Sequence, residues 1–412
     1  MNQGRILYLS YDGLSDPLGQ SQILPYLYGL GKVGYHITII SAEKPERFKA
    51  LPADFAQQLK QRGLQWHPVM YTKKPPILST LRDLRRIRKL AAQLHSQNNF
   101  QIVHCRSYIA TLVGLWMKKR FGLKVLFDMR GFWADERVDG GLWNLKQPHY
   151  RTVYNYFKKK EIEFLESADH IVSLTHNAAD EIHSWTHVKG QPIPITVIPC
   201  CVDLEFFKPL SISVEQKQRL NEELGIADNA FVLTYVGSIS TWYLPYEMLL
   251  FFQRLLIRKP ESIFLIYTPE DPEIILHHAR ELLIPLAKIR AQPVARNDMP
   301  LYLSISSVSL FFIKSTFSKK ASSPVKQGEL MAMGIPMICN GQVGDVDLVV
   351  KETNCGLVLN ELNASAFDEA INQLSEVQSI SPEAIRAGAF AWYSLDEGIR
   401  RYAGIYKTLL DE

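Results

Sequence analysis

The sequence predicts an α/β protein of two domains, each a parallel sheet covered by helices. Three observations carry this reading. The chain has 412 residues, too many for one typical core and suited to two domains of roughly 200 residues. Short apolar runs such as Arg5–Ser10 (RILYLS) and His36–Ser41 (HITIIS) alternate with stretches of helical period, the pattern of strands buried on both faces. The alternation pauses at a linker near 204–212 and restarts at Phe231–Val236. A hydrophobic share of 47% and a charged share of 21% are those of an ordinary globular protein.

The first strand leads into a loop over Asp12–Gln22, then a helix over Ile23–Val33, and His36–Ser41 completes a βαβ unit. The first turn holds Gly13 and Gly19 but not GxGxxG, so no dinucleotide site is read there. Loops at the carboxyl ends of strands line the site of an open α/β sheet. That places Asp16, Gln20, Ser21 and Gln22 at a site, a plain polar turn being the alternative. Gln101–Cys105 is a further strand, with His104 and Arg106 expected at its tip; a structural role is the alternative for His104. Lys124–Asp128 runs into Met129-Arg130-Gly131-Phe132-Trp133-Ala134-Asp135-Glu136, whose charges and Trp133 are not core sequence. Helices are expected over Ile109–Lys119 and Val153–Ser167, and short strands over His170–Leu174 and Ile195–Ile198.

Charge is unevenly spread. Residues 1–200 carry 27 Lys and Arg against 16 Asp and Glu, and the remainder 19 against 26. A helix over Leu78–Leu94 keeps Leu81, Leu84, Ile87, Leu90, Ala91 and Leu94 at helical spacing, with Arg82, Arg85, Arg86, Arg88 and Lys89 between them. Lys118-Lys119-Arg120 and Lys158-Lys159-Lys160 add two more clusters. Each alone reads as a solvated face; three in one domain suit an anionic membrane surface. Without interleaved aromatics they do not suit nucleic acid. Five scattered cysteines, an odd number, point to a reducing compartment. The opening residues are not expected to form a signal peptide, and no apolar run reaches the ~18 residues of a spanning helix. A soluble, cytoplasmic protein is expected.

In the second half, strands are expected over Ile263–Tyr267, Lys288–Val294, Ser309–Ile313 and Ile335–Asn340, and a terminal helix over Tyr393–Leu410. The most informative stretch is Ala321–Pro336. It reads as a helix capped by Ser322 or Ser323, with Pro324 at its first position. Gly334 ends it in a left-handed conformation and Pro336 prevents its resumption. The N-terminus of such a helix favours an anion. Lys326 in the first turn opposes the dipole, which points to a bound anion, and Glu329 one turn on suits a ribose diol. Together they describe a nucleoside diphosphate; an ordinary surface helix is the alternative. Asp345-Val346-Asp347 spells Asp-x-Asp at what reads as a helix start, so no metal is assigned to it.

The run SSPVKQGELMAMGIPMICN resembles the donor-binding segment of family-4 retaining glycosyltransferases of the GT-B fold. Glu329 matches the second of that family's two glutamates, and Ala321 stands where the first is usual. The segment ITVIPCCVDLEFFKP is similar to the family's end-of-domain signature, with Cys200 and Cys201 replacing Asn-Gly. After Gly237 the family often has an Arg and then a Lys; here stand Ser238 and Trp242-Tyr243, which gives weight to Lys326, with Lys314, Lys319 and Lys320 as auxiliaries. Arg130 stands where many members have a His. The resemblance implies two Rossmann-like domains facing a central cleft. Residues 1–205, with a C-terminal helix at about 393–412, would bind the acceptor, and residues 206–392 the nucleotide-sugar donor. It implies catalytic roles for Arg130, Lys326 and Glu329. Donor contacts would come from Gly237, Ser238, Lys314, Ser322, Ser323, Lys326 and Glu329, and acceptor contacts from Asp16, Gln20, Ser21, Gln22, His104, Arg106, Arg130 and Trp133. No cofactor or metal is expected. The implied reaction is retaining hexosyl transfer (EC 2.4) from a nucleotide sugar to a glycan or lipid-linked acceptor, in polysaccharide or glycoconjugate synthesis, by a cytoplasmic enzyme peripheral to the membrane. A sugar-nucleotide 2-epimerase and a non-catalytic nucleotide- or glycan-binding protein are the alternatives.

Overall fold

The computed structural model describes residues 4–75, 77–227 and 229–411; the ends of the expected domains, 1–3 and 412, lie outside them. The chain divides into two compact units, Met1–Pro199 with Leu395–Glu412, and Cys200–Ser394.

The first unit is built on a seven-stranded sheet in the order β3-β2-β1-β4-β5-β6-β7. Its strands are β1 (Arg5–Ser10), β2 (His36–Glu43), β3 (Leu64–Met70), β4 (Ile102–Arg106), β5 (Lys124–Asp128), β6 (His170–Ser173) and β7 (Ile195–Val197). Every pairing is parallel. The apolar runs of β1, β4 and β5 are buried along nearly their whole length, as strands covered on both faces must be. The helix Leu395–Asp411 completes this unit. Tyr35 Oη donates to Ala403 O (3.0 Å), and a Cβ on Gly29 would lie 2.1 Å from Ile399, so only glycine admits this approach.

The second unit has a six-stranded sheet in the order β10-β9-β8-β11-β12-β13. Its strands are β8 (Val232–Val236), β9 (Ile263–Tyr267), β10 (Ile289–Gln292), β11 (Val308–Phe311), β12 (Met337–Asn340) and β13 (Gly356–Leu359). These pairings are also parallel. In each sheet the strand order reverses beside the unit's first strand, at β1/β4 and at β8/β11. Such switch points are where open α/β sheets bind ligands.

Several local expectations change. The loop expected over Asp12–Gln22 is helical from Pro17 to Gln22, because Pro17 at the first position presets a helical φ. The helix expected from Pro324 begins at Val325, and its N-cap is Pro324, with no side-chain cap. Ser323 does not cap it; its Oγ accepts from Cys200 N (3.0 Å). Gly334 is left-handed as expected, at φ +70°. The terminal helix is found at Leu395–Asp411, close to the expected span, and a separate helix Pro382–Tyr393 precedes it. All five cysteines are buried, and none forms a disulfide among the described residues.

Candidate functional site

At the carboxyl ends of β8 and β11, Lys326 is the centre of a buried polar cluster. It stands on the helix Val325–Ala332, and its Nζ donates to Tyr235 Oη (2.9 Å). The ammonium lies 3.7 Å from the Tyr243 ring centre and 4.2 Å from that of Tyr235. β8 places Tyr235. Tyr243 is fixed by an antiparallel bridge to Ile313 just past β11, flanked by Leu244 N to Phe312 O and Lys314 N to Trp242 O. Gly237 is required here twice over. Its φ is +126°, and a Cβ would come within 2.9 Å of Lys326 Nζ. Lys326 therefore does not lie out along the helix mouth, as its first-turn position suggests. It is drawn into an aromatic cage, where cation–π attraction holds it. Burial pulls the amine well below the ordinary lysine range, and Glu329 only partly opposes this.

Glu329, one turn on, is also buried. It pairs with Arg296 (Nη1 to Oε1, 3.1 Å), a partner supplied by the turn Arg296–Asp298 after β10. The Arg296 guanidinium rests 5.6 Å from the ring centres of both Phe206 and Phe207. Burial pushes the Glu329 carboxyl up, with Arg296 and Lys326 pulling against it. Ser238 donates through Oγ to Glu270, and Tyr235 Oη donates to Ser238 O. Lys319 is buried over the Trp242 ring at 3.6 Å, while Lys314 is exposed and Ser322 half-buried. Asp345 occupies the N-cap position of the helix Val346–Thr353, and Asp347 accepts from Gln342 N (2.9 Å).

In the first unit, the ends of β4 and β5 bring two guanidinium groups and an imidazole around one carboxylate. Asp128 lies 3.5 Å from His104 Nε2, 3.8 Å from Arg106 and 3.8 Å from Arg130. All four side chains are buried or nearly so. Burial raises the Asp128 carboxyl, but Arg130, His104 and Arg106 outweigh it and the net shift is downward. Burial lowers His104, Asp128 opposing, so the imidazole is neutral at pH 7. Its Nδ1 shares a 2.6 Å hydrogen bond with Tyr406 Oη from the returning C-terminal helix. Arg106 also reaches Asp12 at 3.5 Å. Arg130 holds φ +60°, a conformation that costs about 1 kcal/mol or more for a side-chain-bearing residue and that concentrates at functional sites.

The remaining first-unit candidates do not join this cluster. Asp16 pairs with Lys44 (3.0 Å) and Arg47 (3.1 Å). Gln20 donates to Leu14 O (2.6 Å) and Ser21 to Pro17 O (2.8 Å), and Gln22 is buried. The loop before them is shaped by Glu43, whose buried carboxylate accepts from Leu14 N (2.7 Å), Ser15 N (3.0 Å) and Ser41 Oγ (2.5 Å). Trp133 is spent on an aromatic cluster with Tyr108, Trp143 and Phe157. Sequence reasoning missed Arg296, Tyr235, Glu270 and the convergence on Asp128. The signal for Asp128 was present, a carboxylate closing an apolar strand.

Residues 27–206 match the family model described as Glycosyltransferase Family 4. The chain is a glycosyltransferase. Over 307 residues the enzyme is 27% identical to a UDP-Gal:alpha-D-GlcNAc-diphosphoundecaprenol alpha-1,3-galactosyltransferase of Escherichia coli, covering 73% of this chain and 72% of that relative. Its fold is that of sucrose-phosphate synthase from Thermosynechococcus elongatus, with a TM-score of 0.76 at 15% identity over 99% of both chains. Anabaena HepE in complex with UDP and glucose is similar too, with a TM-score of 0.69 at 13% identity, covering 98% of this glycosyltransferase and 99% of HepE. These structural likenesses carry the GT-B fold of two Rossmann-like halves.

Proposed function

We propose that this glycosyltransferase moves a hexosyl group, with retention, from a nucleotide sugar bound by the second unit to a glycan or lipid-linked acceptor bound by the first. The observation that carries it is the pairing of Lys326 with Glu329 at the β8/β11 switch point. A buried amine beside an uncapped helix N-terminus meets a departing diphosphate, and a carboxylate one turn on accepts ribose hydroxyls. The solved complex of HepE with UDP makes UDP sugars the first donors to test. On the first unit, Arg106 and Arg130 suit an anionic acceptor group, and the diphosphoundecaprenol in the E. coli relative's name is consistent with a lipid-linked one. The assay is acceptor-dependent release of nucleoside diphosphate, with the anomeric configuration of the product read by NMR. Release of an epimerised nucleotide without acceptor would establish the epimerase reading instead, and binding without turnover the non-catalytic one.

Peripheral attachment at the inner membrane face belongs to the same proposal. Lys118 pairs with Asp169, Lys158 with Asp135 and Glu161, and Lys160 with Glu163, so three of the six cations in these two clusters are already engaged within the protein. The helix Leu78–Asn98 is different. Ile77, Leu78 and Leu81 are 49%, 63% and 46% exposed, beside exposed Lys73, Lys74, Arg82, Arg85 and Lys89. Apolar side chains set among cations suit an anionic lipid surface. No helix among the described residues is long and apolar enough to cross a membrane.

A further inference from the structure

The turn after β8 contains a feature that donor binding by Lys326 and Glu329 does not account for. Three donors converge on one oxygen. Ser238 Oγ, Ile239 N (3.2 Å) and Ser240 Oγ (3.2 Å) all donate to Glu270 Oε1. Two hydroxyls and a backbone amide aimed at one point make an anion nest, and the anion in it belongs to the protein. Glu270 comes from the turn after β9, steadied by Glu270 N to Thr268 Oγ1 (3.2 Å). The nest adjoins the caged lysine, because Tyr235 Oη accepts from Lys326 Nζ and donates to Ser238 O. A cation and a carboxylate thus brace the same short turn, at the switch point where a ligand's charge would arrive.

We propose that Glu270 is an internal stand-in for the donor's diphosphate. It holds the Ser238–Ser240 donors in the free protein and yields them to phosphate oxygens when the nucleotide sugar binds. This rests on the donor reading above and adds a positioning residue that sets donor affinity by competition. The exchange makes and breaks no covalent bond. Three hydrogen bonds pass from carboxylate to phosphate, and Glu270, half-buried in place, moves out to water. A carboxylate that stayed would oppose the diphosphate as a like charge.

The competition separates the phosphate-bearing ligand from the same ligand without phosphate. Calorimetry of the full chain with UDP, GDP, ADP and dTDP, each beside its nucleoside, compares wild type with Glu270→Gln. The variant keeps an acceptor oxygen for the turn and loses the charge. It is expected to bind its preferred diphosphate about tenfold more tightly, the equivalent of one charge-assisted hydrogen bond, with nucleoside affinity unchanged. Equal or weaker diphosphate binding at an unchanged melting temperature overturns the proposal and leaves the donor reading standing. If Glu270→Gln melts early, Glu270→Asp decides: one methylene shorter, it cannot span all three donors, and weaker or equal diphosphate binding again overturns competition. Failure of wild type and both variants to bind any diphosphate overturns the donor reading, and this inference with it.

Discussion

Lys326→Met separates the two demands placed on this lysine. In the free protein the ammonium gains about 0.5–2 kcal/mol from its aromatic neighbours and about 1.5–3 kcal/mol from a charged hydrogen bond, here the one to Tyr235. Against this stands a desolvation cost of several kcal/mol for a buried ion. The downward shift of its pKa says that the cost wins. Methionine fills the same length of cage without a charge, so the variant is expected to be more stable at pH 7 by about 1 kcal/mol. The sign can be followed with pH. Between the lowered folded pKa and the unfolded lysine value of 10.5, the unfolded chain binds more protons, so wild-type stability rises with pH. The gap between variant and wild type is therefore widest at low pH and closes as pH approaches 10.5. Turnover moves the other way. A diphosphate beside Lys326 favours its charged form, and losing that charge should lower turnover by about 10²–10³. Guanidinium denaturation at pH 7 and 9.5, with donor-consumption assays at pH 7, gives both readings. A less stable variant at pH 7, or a gap that does not narrow, refutes the buried-ammonium account; wild-type turnover refutes the catalytic role.

Glu329→Ala is expected to weaken nucleotide binding by about 10- to 150-fold, the loss of one charged hydrogen bond, with the melting temperature little changed because Arg296 is already part-exposed; unchanged affinity in calorimetry would remove Glu329 from the ribose role. Asp128→Asn leaves two buried guanidinium groups without their anion and should cost about 2–3 kcal/mol in urea melts, below the usual figure for a broken buried pair because the separations are long. Since the folded Asp128 carboxyl lies below its unfolded value, that contribution is complete above the usual Asp pKa and is lost as pH falls through the folded one; a difference already shrinking at pH 6 would contradict the assignment. Transfer is expected to survive EDTA, because Lys326 is assigned the leaving group's charge; activity lost to EDTA and restored by Mn²⁺ would turn attention to Asp345 and Asp347. Wild type should sediment with anionic and not neutral vesicles, at about 1 kcal/mol per engaged cation, and Leu78→Ser/Leu81→Ser should reduce the bound fraction; equal binding to both vesicle types defeats the membrane reading.

The legible parts of the fold are those whose burial is written locally. β1, β2, β4, β5, β8 and β9 are continuous apolar runs because both faces are covered. β3 and β13 are edge strands, one broken by His67 and Pro68 and the other four residues long from Gly356, and neither carries that signal. Lys326 and Glu329 could be chosen from the sequence because helix spacing and dipole direction are local properties. Their partners could not. Tyr235 lies 91 residues from Lys326 and Arg296 lies 33 from Glu329, so cage and ion pair exist only once β8, the turn after β10 and the helix Val325–Ala332 are assembled. The cap misjudged at Ser323 has the same cause, since its hydroxyl is claimed by Cys200, 123 residues earlier.

The return of the C-terminal helix to the first unit sets an order of events during synthesis. His104 and Tyr406 are 302 residues apart, and Tyr35 and Ala403 are 368 apart, so the unit begun first is finished last. While a ribosome adds the intervening unit of about 200 residues, at roughly 5–20 residues per second, the β1/β4 region waits on the order of 10–40 s for its covering helix. Gly29 and the Tyr26 and His104 rings then face solvent or a chaperone rather than Ile399, Tyr402 and Tyr406. The second unit, its chain already complete, can fold in the interval as an insertion. A chain shortened by its last 18 residues would stay at the waiting stage, with a finished second unit and a first unit open along one face.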